Sequence, residues 1–469
     1  MNKNKQLHIA IIGSGSAAFA AATKAAENGA RITIVEVGNI IGGTCVNIGC
    51  IPSKIMIRAA SIVHSQSHHA FKGISLNKPD IDRTQMLKQQ QDRVNELRHA
   101  KYEKILAQNP NIHLIHGFAR FKDQYSLIIR DSQAKETELE VDRILITTGA
   151  SPVIPEIPGL AETPFWTSTE ALQTDMLPEH LVVLGGSVTA LEMAQAFNHL
   201  GCKVTLIARN TLLSKMDYRI REEVKSIIED EGIHLLTQTT ADKISHDGNT
   251  FSLHINKQTL HADALLVATG RHANTKHLEL GKAGIKTDKT GAIKIDGYMR
   301  TSANTVYAAG DCTTQPQFVY VAAAAGTRAA INMTGGNSEL DLSILPRVIF
   351  TSPQITSVGL SEQQANLHGI NNTSRTLSLD NIPRALANFD TRGFIKLVAD
   401  SNSGRILGCH AVAENAGEII QSAALAIRNN MTIEDLANQL FPYLTMVEGL
   451  KLCAQAFSKD VSQLSCCAG

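Results

Sequence analysis

The chain has 469 residues, 43% of them hydrophobic and 19% charged, and its 44 basic residues balance its 44 acidic ones. This length allows about three domains at ~100–200 residues each, and the neutral charge argues against nucleic acid as a partner. No apolar run of roughly 18 or more residues suggests a membrane span. A strand predicted at His8–Ile12 leaves no room for a signal peptide. Eight cysteines are too few for a disulfide scaffold, so we expect a cytoplasmic protein whose close cysteine pairs are catalytic or metal-binding.

The first predicted unit is a strand, a glycine turn, a small-residue helix and a second strand. Gly13, Gly15 and Ala18 follow the first strand in the spacing of a dinucleotide fingerprint, which lets the backbone approach a pyrophosphate at the start of the helix. Glu36 ends the second strand, where a carboxylate accepts hydrogen bonds from a ribose. The alternatives are a βαβ unit without ligand and, for Glu36, a solvated strand end.

Two cysteines follow this unit in the segment GGTCVNIGCIPSK, which spans residues 42–54. Cys45 and Cys50 are five residues apart, so their sulfurs meet if a helix starts between them. A helix N-terminus stabilises a thiolate, so one sulfur is expected to have a lowered pKa. The alternative is a pair of buried structural cysteines.

A second unit of the same kind begins at residue 181. Gly185, Gly186 and Ala190 depart from the fingerprint, because the middle small residue falls one place early. Its second strand ends in Arg209 rather than in an acid, which favours the 2′-phosphate of NADPH over NADH. The alternative is a surface cation at Arg209. The two units close with strands that end at Gly149 and Gly270.

Three further polar residues accompany these turns. Lys54 and Glu192 stand near the starts of the helices that follow the dithiol and the second glycine turn, and an ion pair between them would tune a flavin. The sequence alone favours a solvated pair, because exposed pairs are common and weak. Asp311 follows a strand-to-turn junction, where it would accept from a flavin's ribityl chain or would cap the helix predicted at Val319–Met333.

The chain ends in a second dithiol, Cys466 and Cys467. Adjacent cysteines bridge poorly but chelate a soft ion, because the metal widens the gap between the sulfurs. The alternatives are an intermolecular disulfide and an idle tail. Together with Cys45 and Cys50, the pair favours the passing of a soft metal ion between sulfurs. Four isolated cysteines are interpreted as core residues: Cys202, Cys312, Cys409 and Cys453.

The whole chain resembles the flavin-dependent pyridine nucleotide–disulfide oxidoreductases, and within that family its mercury-reducing branch. The first motif is the segment at 42–54, which marks the family. Three more mark the branch: NIPRALANFDTRG at 381–393, LFPYLTMVEGL at 440–450 and SCCAG at 465–469.

The resemblance implies an α/β fold with two Rossmann-like dinucleotide-binding domains, for FAD and NADPH, and a C-terminal α+β dimerisation domain. The expected boundaries are 1–150 with 271–337 for FAD, 151–270 for NADPH, 338–458 for dimerisation and 459–469 for a mobile tail. The cofactor-binding residues then also include Gly43, Thr44 and Val188.

The activity implied by the resemblance is reduction of Hg(II) to Hg(0) with NADPH. Small thiols bring Hg(II), Cys466 and Cys467 capture it, and Cys45 and Cys50 hold it beside the flavin, with Cys50 nearer. The enzyme is then a homodimer in which the tail and Tyr443 of one subunit serve the inner cysteines of the other. No nucleic acid or membrane takes part.

Three departures from the family pattern bear on this prediction. Tyr443 stands where disulfide reductases carry the His that protonates a leaving thiol, and no histidine follows His410. Val188 stands where many relatives have a Tyr that shields the flavin. The small N-terminal metal-binding domain of many mercury-reducing relatives is not seen. The alternatives are a flavin disulfide reductase of the dihydrolipoamide or glutathione type and a non-enzymatic thiol metal carrier.

Overall fold

The first parallel sheet lies in the N-terminal half of a computed structural model that describes residues 6–460. Its five strands are, in spatial order, Val306–Ala308, Arg143–Ile146, His8–Ile12, Arg31–Glu36 and Ile112–His116. The strands are runs of buried aliphatic residues, as expected for a parallel sheet covered on both faces.

Helices Ser16–Glu27 and Val319–Met333 pack closely beside this sheet. Both are rich in alanine, and a Cβ added at Gly326 would lie 2.2 Å from the carbonyl oxygen of Ala17. Close packing of the two helices therefore needs glycine at this position, and it fixes the glycine turn that precedes Ser16.

The second parallel sheet has four strands, in the order His234–Thr237, Lys203–Ala208, His180–Leu184 and Ala264–Val267. The chain passes between the two units twice, and these two connecting segments form an antiparallel pair, Ala150–Pro152 with Arg271–Ala273. Each unit also carries a three-stranded antiparallel sheet: Phe118–Phe121, Ser126–Arg130 and Glu136–Glu140 in the first, and Lys243–His246, Phe251–Ile255 and Gln258–Ala262 in the second.

The C-terminal part is built on a five-stranded antiparallel sheet. Its strands are, in spatial order, Arg347–Ile349, Gln354–Gly359, Ile406–Ala413, Phe394–Asp400 and Asn372–Ser378. Helices Ala416–Arg428 and Glu448–Gln455 bury their apolar faces in its core. The three helices after the last strand follow the α+β order expected from the sequence, while two short helices lie between the earlier strands. The predicted Phe394–Ala399 and Arg405–Ala413 strands differ from the observed ones by one residue.

The remaining helices complete the layers. The α-helices are Gly43–Ile48, Cys50–Ser67, Arg83–Arg98, Lys104–Gln108, Ser168–Gln173, Val188–His199, Tyr218–Asp230, Glu362–Leu367, Pro383–Asn388 and Ile433–Ala437. Short 3-10 turns lie at Leu160–Glu162, Leu280–Ala283 and Leu379–Asn381, and a π-helical turn lies at His99–Glu103.

One helical stretch within residues 6–460, Gly43–Ser67, is long and apolar enough to cross a membrane by length and composition alone. It is interrupted at Gly49, and its second part begins at Cys50. Met56 and Ala60 on that part are buried in the same core as the Val188–His199 helix. The stretch is therefore also the element that joins the two nucleotide-binding units.

Candidate active site

The first glycine turn is shaped for a close backbone approach. Gly13 has φ of +102°, and a Cβ there would lie 2.5 Å from the carbonyl oxygen of Thr147. A second loop comes equally near, because a Cβ at Gly43 would lie 2.7 Å from the Cα of Gly15. The turn therefore lies directly against the segment that carries the two cysteines.

The start of helix Ser16–Glu27 is open for an anion. Its N-cap is Gly15, and no side chain satisfies the first N–H groups. The Ser14 hydroxyl is buried and has no hydrogen-bond partner among residues 6–460. An uncapped helix N-terminus beside an unpartnered hydroxyl fits the pyrophosphate of FAD, and Ala18 packs fully buried one turn on.

Two predicted acidic positions flank this turn. The Glu36 carboxylate accepts a hydrogen bond from the backbone N–H of Gly38 at 2.8 Å, at the end of the second strand. Asp311 is half-buried, and desolvation raises the pKa of its carboxyl. The interpretation of Asp311 as the cap of helix Val319–Met333 is wrong, because Phe318 is the N-cap residue. Binding of a flavin's ribityl chain therefore stays the prediction for Asp311.

The dithiol is placed by two consecutive helices. Cys45 lies in helix Gly43–Ile48, and Cys50 is the first residue of helix Cys50–Ser67, so a helix does start between them. The break falls at Gly49, where a Cβ would lie 2.9 Å from the carbonyl oxygen of Thr44. Both cysteines are free, half-buried and hydrogen-bonded to each other. The alternative of two fully buried structural cysteines does not fit this exposure.

The two thiols are electrostatically unequal. The hydrogen bond from Cys45, helped by the positive charge of Lys54, lowers the pKa of Cys50 to about 7. The same hydrogen bond and burial raise the pKa of Cys45. Cys50 is therefore the thiolate of the pair near neutral pH, as expected for a sulfur at a helix N-terminus.

Lys54 and Glu192 form an ion pair, with 2.8 Å between Nζ and Oε2. The expectation of a solvated pair is wrong, because the Glu192 side chain is only 6% exposed and that of Lys54 34%. The other oxygen of Glu192 accepts from the backbone N–H of Phe350 at 2.9 Å. The pair links the dithiol helix to the second unit's helix, and it sets a cation beside Cys50.

The second glycine turn repeats the geometry of the first with different contacts. Gly185 has φ of +141°, and a Cβ there would lie 2.2 Å from the carbonyl oxygen of Ala268. The N-cap residue of helix Val188–His199 is Ser187, whose side chain makes no capping bond, so the N-terminus of this helix is also open. Val188 is 38% exposed beside this turn, and Arg209 is exposed at the end of the next strand. These positions suit a nucleotide with an extra phosphate.

The predicted glycines Gly149 and Gly270 lie in the turns after the closing strands, which end earlier than predicted, at Ile146 and Val267. Gly149 has φ of +69° and Gly270 has φ of +132°, a region that favours glycine. Each lies three residues beyond the end of a parallel-sheet strand, Arg143–Ile146 or Ala264–Val267, and the antiparallel pair between the units begins beside them.

Two residues near the dithiol were not predicted from the sequence. Arg271 has its guanidinium desolvated, which lowers its pKa, and the charges of Asp311 and Cys50 act on it. Tyr102 lies 3.4 Å from Ser16, hydroxyl to hydroxyl, and burial raises the pKa of its phenol. Arg271 directly follows the predicted Gly270, so its position in the sequence could have indicated that it lies near the site. Tyr102 stands in the π-helical turn and belongs to no motif.

The second dithiol and Tyr443 were predicted to serve the inner cysteines. Cys466 and Cys467 lie outside the described residues. The Tyr443 side chain is 49% exposed, in the segment before helix Glu448–Gln455. The four isolated cysteines, Cys202, Cys312, Cys409 and Cys453, are all buried, which confirms their interpretation as core residues.

Two family models match the chain. The pyridine nucleotide-disulphide oxidoreductase model covers residues 7–326, and the dimerisation domain model of the same family covers residues 345–454. Mercuric reductase from Shigella flexneri is 59% identical over 469 residues, 99% of this chain and 83% of the relative. Mercuric reductase from Shewanella putrefaciens is 55% identical over 466 residues, 99% of this chain and 84% of the relative.

Two solved structures share the fold. The HOCl-induced flavoprotein disulfide reductase RclA from Escherichia coli superposes with a TM-score of 0.86 at 31% identity, over 96% of this chain and 99% of that one. LpdA from Mycobacterium tuberculosis gives a TM-score of 0.85 at 26% identity, over 97% of this chain and all of that one. The predicted fold class is confirmed.

Proposed function

The chain belongs to the pyridine nucleotide–disulphide oxidoreductase family, and we propose that it is a mercury(II) reductase that uses NADPH and FAD. Relatives that share 55–59% of its residues over nearly its whole length are mercuric reductases. The observation that carries the proposal is the half-buried pair of free thiols, Cys45 and Cys50, beside an uncapped nucleotide-binding helix.

The residues of the first unit fit FAD. The uncapped helix after Gly15 and the unpartnered Ser14 hydroxyl suit its pyrophosphate, and Glu36 and Asp311 suit its hydroxyl groups. When bound, FAD relays an electron pair from NADPH to the dithiol site. Gly185 and Arg209 would hold the NADPH phosphates, and Lys54 keeps a positive charge beside Cys50.

The dithiol binds the substrate cation. The Cys50 thiolate attacks an incoming Hg(II)–dithiolate complex and releases one small thiolate. Cys45 then displaces the second, which leaves as a thiol with the proton of Cys45. Soft thiolates are the preferred ligands of such an ion. The two electrons would come from NADPH, whose oxidation to NADP⁺ releases one proton. Hg(II) becomes Hg(0), both sulfurs remain as thiolates, and the neutral atom leaves because thiolates bind it poorly.

Cys466 and Cys467 would make the first exchange with the small thiols that carry Hg(II). Residues 345–454 match a dimerisation domain, so the protein is a homodimer. We assign the tail and Tyr443 of one subunit to the dithiol of the other. The Tyr443 side chain is half-exposed, and its phenol would steady the ion during exchange. We also propose a cytoplasmic site of action, because the free thiols of Cys45 and Cys50 persist in a reducing compartment.

The alternative function is that of a disulfide reductase, because RclA, which shares the fold, is a flavoprotein disulfide reductase. Against it stands Tyr443, which replaces the proton donor that a leaving thiol needs.

The test is NADPH oxidation by the FAD-loaded enzyme in excess small thiol, with Hg(II), glutathione disulfide or lipoamide as acceptor. We expect oxidation that depends on Hg(II) and only background rates with either disulfide. Brisk disulfide turnover without a response to Hg(II) would overturn the proposal.

The tail is tested by Cys466→Ala with Cys467→Ala. We expect turnover to fall more with bulky thiol complexes of Hg(II) than with small mercury complexes, because small complexes reach the inner thiols directly. An equal loss of turnover with bulky and with small complexes would show that the tail does not capture Hg(II).

A further inference from the structure

A second group of metal-ligating side chains lies far from the dithiol, where three parts of the molecule meet. His64 lies near the end of helix Cys50–Ser67, His199 ends helix Val188–His199, and Glu231 follows helix Tyr218–Asp230. One ligand atom of each lies within 4.8 Å of the others. The His199 and Glu231 side chains are only 3% and 6% exposed.

The carboxylate at the centre is held in place by its neighbours. Glu231 Oε2 lies 3.0 Å from His199 Nε2 and accepts from Gln195 Nε2 at 2.8 Å. Its Oε1 accepts from Arg392 Nη1 at 2.9 Å, and Arg392 is itself paired with Asp390. A carboxylate whose second oxygen is bound by an outer group is the usual arrangement of a metal-ligating carboxylate.

We propose that His64, His199 and Glu231 form a site for a borderline divalent cation, of which Zn(II) is the best match. Zn(II) prefers imidazole nitrogen and carboxylate oxygen at about 2.0–2.2 Å, in a tetrahedron completed by water. Two such ligands are about 3.3 Å apart in a tetrahedron. The 3.0 Å between His199 Nε2 and Glu231 Oε2 is close to that edge. The cation takes the place of the proton between these two atoms.

His64 supplies the third ligand. Its ring makes no hydrogen bond with any residue between 6 and 460; it stacks on His199 with centroids 3.9 Å apart and planes 17° apart. A tilt of this ring out of the stack aims a nitrogen at the cation. No sulfur belongs to the group, so its metal preference differs from that of the dithiol.

The site ties together the same two helices as the Lys54–Glu192 pair. His64 lies about 21 Å along the helix from Cys50 at 1.5 Å per residue, and the carboxylate's partner Arg392 comes from the C-terminal part. A bound cation therefore strengthens the contact between the dithiol helix, the second nucleotide unit and the C-terminal sheet. This inference does not depend on the proposed mercury chemistry.

The test uses the FAD-loaded full chain with Cys45, Cys50, Cys466 and Cys467 all changed to Ser, which removes the competing dithiols. After treatment with a chelator, Zn(II) binding is measured by equilibrium dialysis with metal analysis. We expect one Zn(II) per chain, with at least a ~10-fold weaker association in His64→Phe and in Glu231→Gln. His64→Phe keeps an aromatic ring in the stack and removes only the nitrogens. The matched control is His68→Phe, because His68 stacks on His64 but is outside the ligand group.

X-ray absorption at the zinc edge gives a readout that needs no change within the cluster. We expect a first shell of nitrogen and oxygen with outer-shell scattering from two imidazoles. Absence of bound Zn(II), equal binding by the parent and His64→Phe, or sulfur in the first shell would each overturn the proposal. In those cases the group is a hydrogen-bonded junction between domains only.

Discussion

The two nucleotide-binding units are built alike but differ at the points that decide what they bind. Each has an uncapped helix that follows a left-handed glycine, at Gly13 and at Gly185. The first unit's second strand ends in Glu36, whose carboxylate is folded back on Gly38, and the second's ends in the exposed Arg209. One unit offers an acceptor and the other a cation at the same structural position.

The two units also differ in how they contact the segment that carries Cys45 and Cys50. The first unit is pressed against the dithiol segment through Gly15 and Gly43, backbone to backbone. The second reaches the dithiol helix through one buried side chain, Glu192, which binds Lys54. The comparison shows that the glycine turns determine where a nucleotide binds in each unit. A few side chains at the ends of strands and on helices determine which nucleotide it is.

The largest expected effect comes from breaking either glycine turn. In Gly13→Ala the new methyl meets the Thr147 carbonyl at a φ that disfavours alanine, so we expect purified protein without FAD and without activity. In Gly185→Ala the equivalent clash is with the Ala268 carbonyl, so FAD stays bound but NADPH no longer reduces it. Flavin absorbance and rapid-mixing reduction separate the two. Retention of FAD in Gly13→Ala, or its loss in Gly185→Ala, would break the assignment of the units.

The second expected effect is a difference in reactivity between the two thiols. Because the pKa of Cys50 is lowered to about 7 and that of Cys45 is raised, the reduced enzyme should be alkylated first at Cys50. The thiolate exists above its pKa, so the rate should rise with pH through a midpoint near 7 rather than near the usual ~8.5. Iodoacetamide kinetics with peptide mapping measure it. In Lys54→Met the midpoint should move upward; first modification at Cys45 would contradict the electrostatic account.

The third effect concerns the link between the units. Lys54→Met leaves the Glu192 carboxylate buried without its cation, which we expect to lower the free energy of unfolding by about 2 kcal/mol, since Lys54 is partly exposed. Lys54→Met combined with Glu192→Gln should recover part of this loss, because no charge is then left unpaired. Denaturant unfolding of the holoenzyme in this double-mutant cycle gives the coupling energy. A coupling of zero would mean that the pair is a surface contact of no consequence.

The smallest effect is expected at the exposed Arg209. Arg209→Ala should raise KM for NADPH about 10-fold while leaving that for NADH nearly unchanged, since a charge-assisted hydrogen bond to the 2′-phosphate is lost. The matched control is Lys203→Ala, at the opposite end of the same strand. If both variants behave alike, Arg209 is a surface cation and the preference for NADPH comes from elsewhere.

Local features were predictable from the sequence because they depend on neighbouring residues. The strand His8–Ile12 and the helix Val319–Met333 are observed with the predicted bounds, and the spacing of Cys45 and Cys50 does bring their thiols together. The family resemblance likewise depends on four motifs, each a run of consecutive residues. Periodicity and turn residues are written in consecutive positions, so they can be recognised without knowledge of the fold.

Features that depend on packing were not predictable. The burial of Glu192 results from residues far away in sequence, such as Phe350, whose N–H donates to it. Arg271 and Tyr102 reach the dithiol region only through the folded arrangement, and the spacing of His64, His199 and Glu231 along the chain carries no sign of a cluster. The place of Cys466 and Cys467 lies outside the described residues and stays a prediction.

The most direct test of the central claim is the yield of elemental mercury per NADPH oxidised. The FAD-loaded enzyme is given Hg(II) with excess small thiol in a closed vessel, and mercury vapour and NADP⁺ are measured together. We predict one Hg(0) for each NADPH, and no vapour from the Cys45→Ala or Cys50→Ala variants. NADPH oxidation by the unaltered enzyme with no Hg(0) in the vapour would contradict the account.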